Sequence, residues 1–127
     1  MFLPESDSAY LDAKGIEYEQ KTIGNINGLI IKDWKLPEGK YNQSVVELLI
    51  LIPRGYPDVH PDMWYFFPDI LLLPHNRYAK ATQAHYSFDG KPWQRWSRHL
   101  AAGEWRSSVD GIHTFLQKVI TALEIAQ

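Results

Sequence analysis

Leu48-Leu49-Ile50-Leu51-Ile52-Pro53-Arg54-Gly55-Tyr56-Pro57-Asp58-Val59-His60-Pro61-Asp62-Met63-Trp64-Tyr65-Phe66 is the stretch on which the fold turns. It begins inside a nearly uninterrupted apolar run, Ser44–Ile52, which is short and bounded by turns, as suits a central strand covered on both faces. Pro53-Arg54-Gly55-Tyr56-Pro57 breaks that run. Met63–Phe67 then has the aromatic composition of a strand, ended or placed at an edge by Pro68. Pro53, Pro57, Pro61, Pro68 and Pro74 exclude helix throughout, because each removes an N–H donor and crowds the preceding turn. The prolines fix a rigid return between strands, over which Tyr56 packs its ring.

Working outward, Pro4 suits the first turn of a helix and Gly15 its C-terminal cap, so Glu5–Lys14 is predicted as a short helix. Ile16–Ile23 and Gly28–Leu36 read as strands on either side of Gly24-Asn25-Ile26-Asn27-Gly28, and Pro37-Glu38-Gly39 is a further turn. At the other end Val109, Ile112, Leu116, Val119 and Leu123 form one helical stripe, with Ser107 or Ser108 as its cap. Between Pro74 and Trp105 periodicity is poor. A segment that long, holding Trp93, Trp96 and Trp105, is expected to be an ordered functional loop. The expectation is one α+β domain over residues 1–127: an N-terminal helix, a four-stranded antiparallel meander, the ordered loop, and a long C-terminal helix packed on the sheet.

Composition bounds the chemistry. Hydrophobic residues make up 45% and charged ones 22% of 127 residues, which supports a real core and excludes intrinsic disorder. No apolar run reaches the length of a membrane span, and Met1–Asp7 has no basic, then apolar, secretory pattern, so a cytoplasmic address and no membrane partner are expected. There is no cysteine, which removes disulfides, thiolate zinc sites and any thiol nucleophile. Charge is unevenly placed: residues 75–106 carry +4 and the remainder −6. The basic segment is expected to meet something negative or polar.

The Pro53-x-x-Tyr56-Pro57 turn between an apolar strand and a Pro61-led aromatic strand resembles a signature of ubiquitin-conjugating enzymes. In that family the catalytic cysteine stands eight residues before a tryptophan that precedes a long helix; here Trp105 precedes the helix and Ser97 stands eight before it. Asp89-Gly90 matches the family's Asp-Gly pair, and His85-Tyr86-Ser87 stands where His-Pro-Asn would be. The departures are the serine itself, the missing Pro and Asn, a longer Gly90–Ser97 spacing, a shorter link after Trp105 and the absence of the family's final helices. The chain is similar to divergent prokaryotic members that accompany ubiquitin-like proteins and activating-enzyme-like adenylyltransferases.

The resemblance implies that Ser97 accepts the C-terminal tail of a ubiquitin-like protein as an oxyester, with ATP spent by the activating partner and no cofactor held by this chain. A serine needs a base and oxyanion donors that a thiolate does not. His85 and His99 are both candidates for the base and Asp89 for orienting it. Arg95, Arg98 and the N–H groups of a helical turn expected at Ser97–Ala102 are candidate oxyanion donors. Trp93 and Trp96 either pack the loop or, with Arg95, line a groove for the substrate tail. The rival reading is a catalytically inactive module that binds a ubiquitin-like protein or its activating enzyme. Nucleic-acid binding is disfavoured by the negative total charge, and the histidine spacings match no compact metal motif.

Overall fold

The computed structural model describes residues 1–127. Helix α1 (Glu5–Ala13) leads into strands β1 (Tyr18–Ile23), β2 (Ile26–Lys35), β3 (Val45–Ile52) and β4 (Trp64–Phe67), followed by β5 (His85–Phe88), β6 (Lys91–Trp96) and helix α2 (Ile112–Ile125). All pairings are antiparallel in the order β1-β2-β3-β4-β6-β5. The first helix and the four-strand meander lie where the turn residues put them. The sheet, however, has six strands rather than four. The expected loop contains a hairpin whose Asp89-Gly90 turn takes positive φ at both residues (52° and 76°), the backbone that a two-residue hairpin turn requires.

Strand alternation sorts the sheet into two packed faces. Leu29 and Ile31 on β2, Val46, Leu48, Ile50 and Ile52 on β3, Trp64 and Phe66 on β4, and Trp96 on β6 meet Leu11 of α1 and the buried stripe of α2 in one large core. The opposite side chains, Ile30, Leu49, Tyr65, Phe88 and Trp93, form a second, smaller core. This outer core exists because the sheet curls until the β5–β6 hairpin lies across β1–β3. Asp89 pairs with Lys21, Lys91 reaches Glu47 at 2.7 Å, and Phe88 sits against Gly28. A Cβ at Gly28 would come within 2.6 Å of the Phe88 ring, so only glycine admits the curl at this spacing.

Because β6 lies between β4 and β5, the chain crosses to the sheet edge through residues 68–84 before returning. That crossing is pinned at its start. Gln94, fully buried on β6, accepts from the Ile70 N–H (2.8 Å) and donates to the Ile70 carbonyl (3.0 Å). The N–H of Leu73 donates to the Lys40 carbonyl (2.9 Å).

Helix α2 begins at Gly111–Ile112, not at Ser107 or Ser108, and Val109 lies outside it in an exposed turn. The cap comes from elsewhere in the chain. Asp7 of α1, itself buried, accepts from the Ile112 N–H (3.2 Å) and from the Tyr56 hydroxyl (2.6 Å). One carboxylate thus ties α1, the proline turn and α2 together. Phe115 joins the buried stripe in place of Val109. No helix is long and apolar enough to cross a membrane.

Candidate functional site

The proline turn and Trp105 are one unit. The Trp105 indole N–H donates to the Pro57 carbonyl (2.7 Å), and its ring lies 6.2 Å from that of Tyr56 and 6.1 Å from that of His60. Upstream of this clamp, Ser97 is the first residue beyond β6. Its N–H donates to the Ala81 carbonyl (3.2 Å), which fixes the backbone, while its hydroxyl makes no hydrogen bond within the chain. Residues 97–101 continue without regular structure up to a turn at Ala102-Gly103. The helical turn expected at Ser97–Ala102 does not form, so there is no helix start to supply oxyanion N–H groups there. The chain is held in its non-helical course by the Glu104 side chain accepting from the Ala101 N–H (2.5 Å) and by the Glu104–Lys118 pair.

Ser97 opens onto a groove of about 400 Å³ against the last turn of α2, with Lys80, Arg98, Ala122 and Ile125 among its walls. A second cavity of about 160 Å³ shares Arg98, Ala122 and Ile125 with it and contains Asp62, Trp64 and His99. Arg98 stands between the two. Its Nη1 donates to the carbonyls of Lys80 (3.0 Å) and Ser97 (3.1 Å), and its guanidinium lies 4.8 Å above the Trp96 ring. Burial lowers its pKa from the ordinary arginine value, while neighbouring Tyr41 opposes that shift. Its remaining N–H groups form no hydrogen bond inside the chain.

The two histidines are placed differently. His85 on β5 is bonded through Nε2 to Asp69 (2.8 Å), which also accepts from Tyr78, and it stands opposite Gln94, well back along β6 from Ser97. His99 bonds Asp62 through Nδ1 (2.8 Å), leaving Nε2 free, with its side chain 60% exposed. Neither histidine hydrogen-bonds Ser97. Asp89, the expected orienting carboxylate, is committed to Lys21 at the hairpin tip. His99 is oriented by Asp62 and His85 by Asp69, while His60 bonds the Pro61 carbonyl (2.7 Å).

Trp93 and Trp96 are fully buried on opposite faces of β6. The groove-lining alternative therefore has no exposed ring to rest on, and both tryptophans are packing residues. Arg95 faces outward beside Tyr65, away from α2. No three histidine or carboxylate side chains converge as a metal site would require.

A comparison with protein families aligns residues 3–126 with prokaryotic E2 family E. The chain belongs to that family. No curated protein and no solved structure matches it. Membership makes this chain an E2-like, conjugating-enzyme-like module, a class whose general partners are ubiquitin-like proteins and their activating enzymes.

Proposed function

We propose that this family E chain carries a ubiquitin-like protein as a Ser97 oxyester, received from an activating-enzyme-like adenylyltransferase. The observation that carries the reading is Ser97 itself: in register with Trp105, anchored through its backbone, with an unengaged hydroxyl at the mouth of the Arg98 groove. The Ser97 Oγ attacks the activated terminal carbonyl of the modifier. The new C–O bond forms as the bond to the activating group breaks, and the hydroxyl proton passes to the free Nε2 of His99, oriented by Asp62. The unengaged N–H groups of Arg98 meet the developing oxyanion. His85 takes no part in this step, since Asp69 holds its Nε2.

Reconstitution with a cognate modifier, an activating enzyme and ATP tests this. Wild type should form an adduct that hydroxylamine cleaves and thiols do not, and Ser97→Ala should form none. His99→Ala should slow its formation by about 10²–10⁴-fold, the usual worth of a general base. An adduct retained by Ser97→Ala refutes the assignment. A second reading, a module that binds a ubiquitin-like protein without acylation, draws on the absence of any hydrogen bond from Ser97 to either histidine. It would show as modifier binding unchanged in Ser97→Ala, with no adduct in either protein.

A further inference from the structure

On the face of the sheet opposite α2, β4 and β6 place Tyr65 directly across from Arg95, and the Tyr65 ring lies 5.3 Å from that of Tyr86 on β5. Cross-strand partners at this spacing touch. The Arg95 Nε is buried and without a hydrogen-bond partner. The guanidinium also takes part in none of the ion pairs that engage Lys21, Lys32, Lys91 and Lys118. The hydroxyls of Tyr41, Tyr56 and Tyr78 are bonded inside the chain, whereas those of Tyr65 and Tyr86 are not. A half-buried guanidinium whose outer N–H groups have no acceptor, with two idle hydroxyls on the same face, is costly unless something supplies acceptors. Running up to Tyr65 is an apolar groove of about 380 Å³ floored by Leu51, Val59 and Met63.

We infer that Arg95, Tyr65 and Tyr86 form a docking site for an extended acidic peptide, one carboxylate seated on the Arg95 fork and a neighbouring apolar side chain in the Leu51–Met63 groove. Charge complementarity selects this occupant. A planar guanidinium takes a carboxylate through two parallel bonds, the tyrosine hydroxyls donate to its remaining lone pairs, and the one carboxylate lining the groove, Asp62, is already engaged by His99. The site does not depend on acyl transfer: Ser97 opens towards α2, and Arg95 faces the other way.

The test uses the full chain labelled with ¹⁵N and the capped peptide acetyl-Gly-Leu-Gly-Asp-Gly-amide, whose only charge is the aspartate. Addition should shift the Arg95 Nε–H resonance in a saturable way. The Asn version of the peptide, or the Arg95→Gln protein, should bind at least about 10-fold more weakly, as expected on losing a bidentate charged pair. Arg95→Lys should fall between, keeping charge without the fork, and Ser97→Ala should bind as wild type does. Asp and Asn peptides titrating alike, or an Arg95 Nε–H unmoved at saturation, would overturn the inference. So would inorganic phosphate shifting that resonance where the peptide does not. The resonance is read on the wild-type chain, so the outcome stands even if Arg95→Gln fails to fold.

Discussion

Asp7→Ala should be among the most damaging substitutions of a polar residue in this chain. Asp7 is 4% exposed, and its two oxygens accept from the Tyr56 hydroxyl at 2.6 Å and the Ile112 N–H at 3.2 Å. Truncation strands both donors at a three-way junction of α1, the proline turn and α2. An unpaired buried donor costs about 1–3 kcal/mol, and the loss of a helix cap about 1 kcal/mol. Taking the hydroxyl as partly able to turn elsewhere, the expected loss is about 2–4 kcal/mol, a large share of the roughly 5–15 kcal/mol that holds such a domain folded. For a chain of this size that lowers Tm by about 8–16 °C. Urea denaturation followed by tryptophan fluorescence measures it directly. Asp7→Asn, which retains one acceptor oxygen, should lose about half as much. In a double-mutant cycle, Tyr56→Phe should cost about 1–2 kcal/mol less in the Asp7→Ala background than in wild type. A loss below about 1 kcal/mol for Asp7→Ala, or additivity of the two changes within about 0.5 kcal/mol, would refute the junction as described.

Gly28→Ala places a methyl 2.6 Å from Phe88 Cζ and 2.9 Å from Leu49 Cδ1, and should cost about 1–3 kcal/mol by overpacking the outer core. Adding Phe88→Leu should recover part of that in the same urea assay, and no recovery would mean that the hairpin does not press on β2. Alkaline stability follows from two tyrosines, Tyr41 buried and Tyr56 half-buried. Burial pushes the Tyr41 hydroxyl up to about 12, and burial with the Asp7 hydrogen bond holds Tyr56 higher still. The folded chain keeps these protons when the unfolded chain, with tyrosines near pKa 10, gives them up. Their contribution is therefore fully present below about pH 10 and lost as pH rises towards 12 and beyond. Tyr41→Phe should flatten the fall between about pH 10 and 11 while removing the bond to the Leu123 carbonyl, and an unchanged slope would count against the burial.

What the sequence disclosed, and what it hid, divides along the range of the forces involved. β1 to β4 are delimited by glycine and proline turns whose effect is local, so their bounds follow from composition. β5 and β6 carry their own local signal in Asp89-Gly90, but no alternation announces them, because Trp93, Gln94 and Trp96 are buried on both faces of β6 and leave no solvent side to read. The start of α2 was displaced for the opposite reason. Ser107 and Ser108 satisfy a local capping rule, yet the cap is Asp7, 105 positions away, where contact geometry and not spacing decides. The site shows the same split. Ser97 is legible through its interval to Trp105, whereas the carboxylate that orients His99 lies 37 positions earlier, where no spacing rule links the two.

The burial of the tryptophans bears on how an alcohol could serve as the proposed acceptor. With Trp93 locked in one core and Trp96 in the other, β6 cannot twist, and the residue that follows it inherits that rigidity through the Ser97 N–H bond to Ala81. Sites at the end of a packed strand hold geometry better than sites within loops. On the proposed reading the position of Ser97 is thus built into the fold, while that of the base is not: the His99–Asp62 pair is exposed. Under the proposed chemistry this division has a consequence. A serine without an aligned base is inert at neutral pH, so the free chain neither acylates itself nor hydrolyses stray esters, and reactivity appears only when a docked partner covers His99 and excludes water. Activated esters offered without the activating enzyme should therefore leave Ser97 unmodified, while the complete system acylates it; rapid labelling of Ser97 in the free chain would mean that the base is already in place.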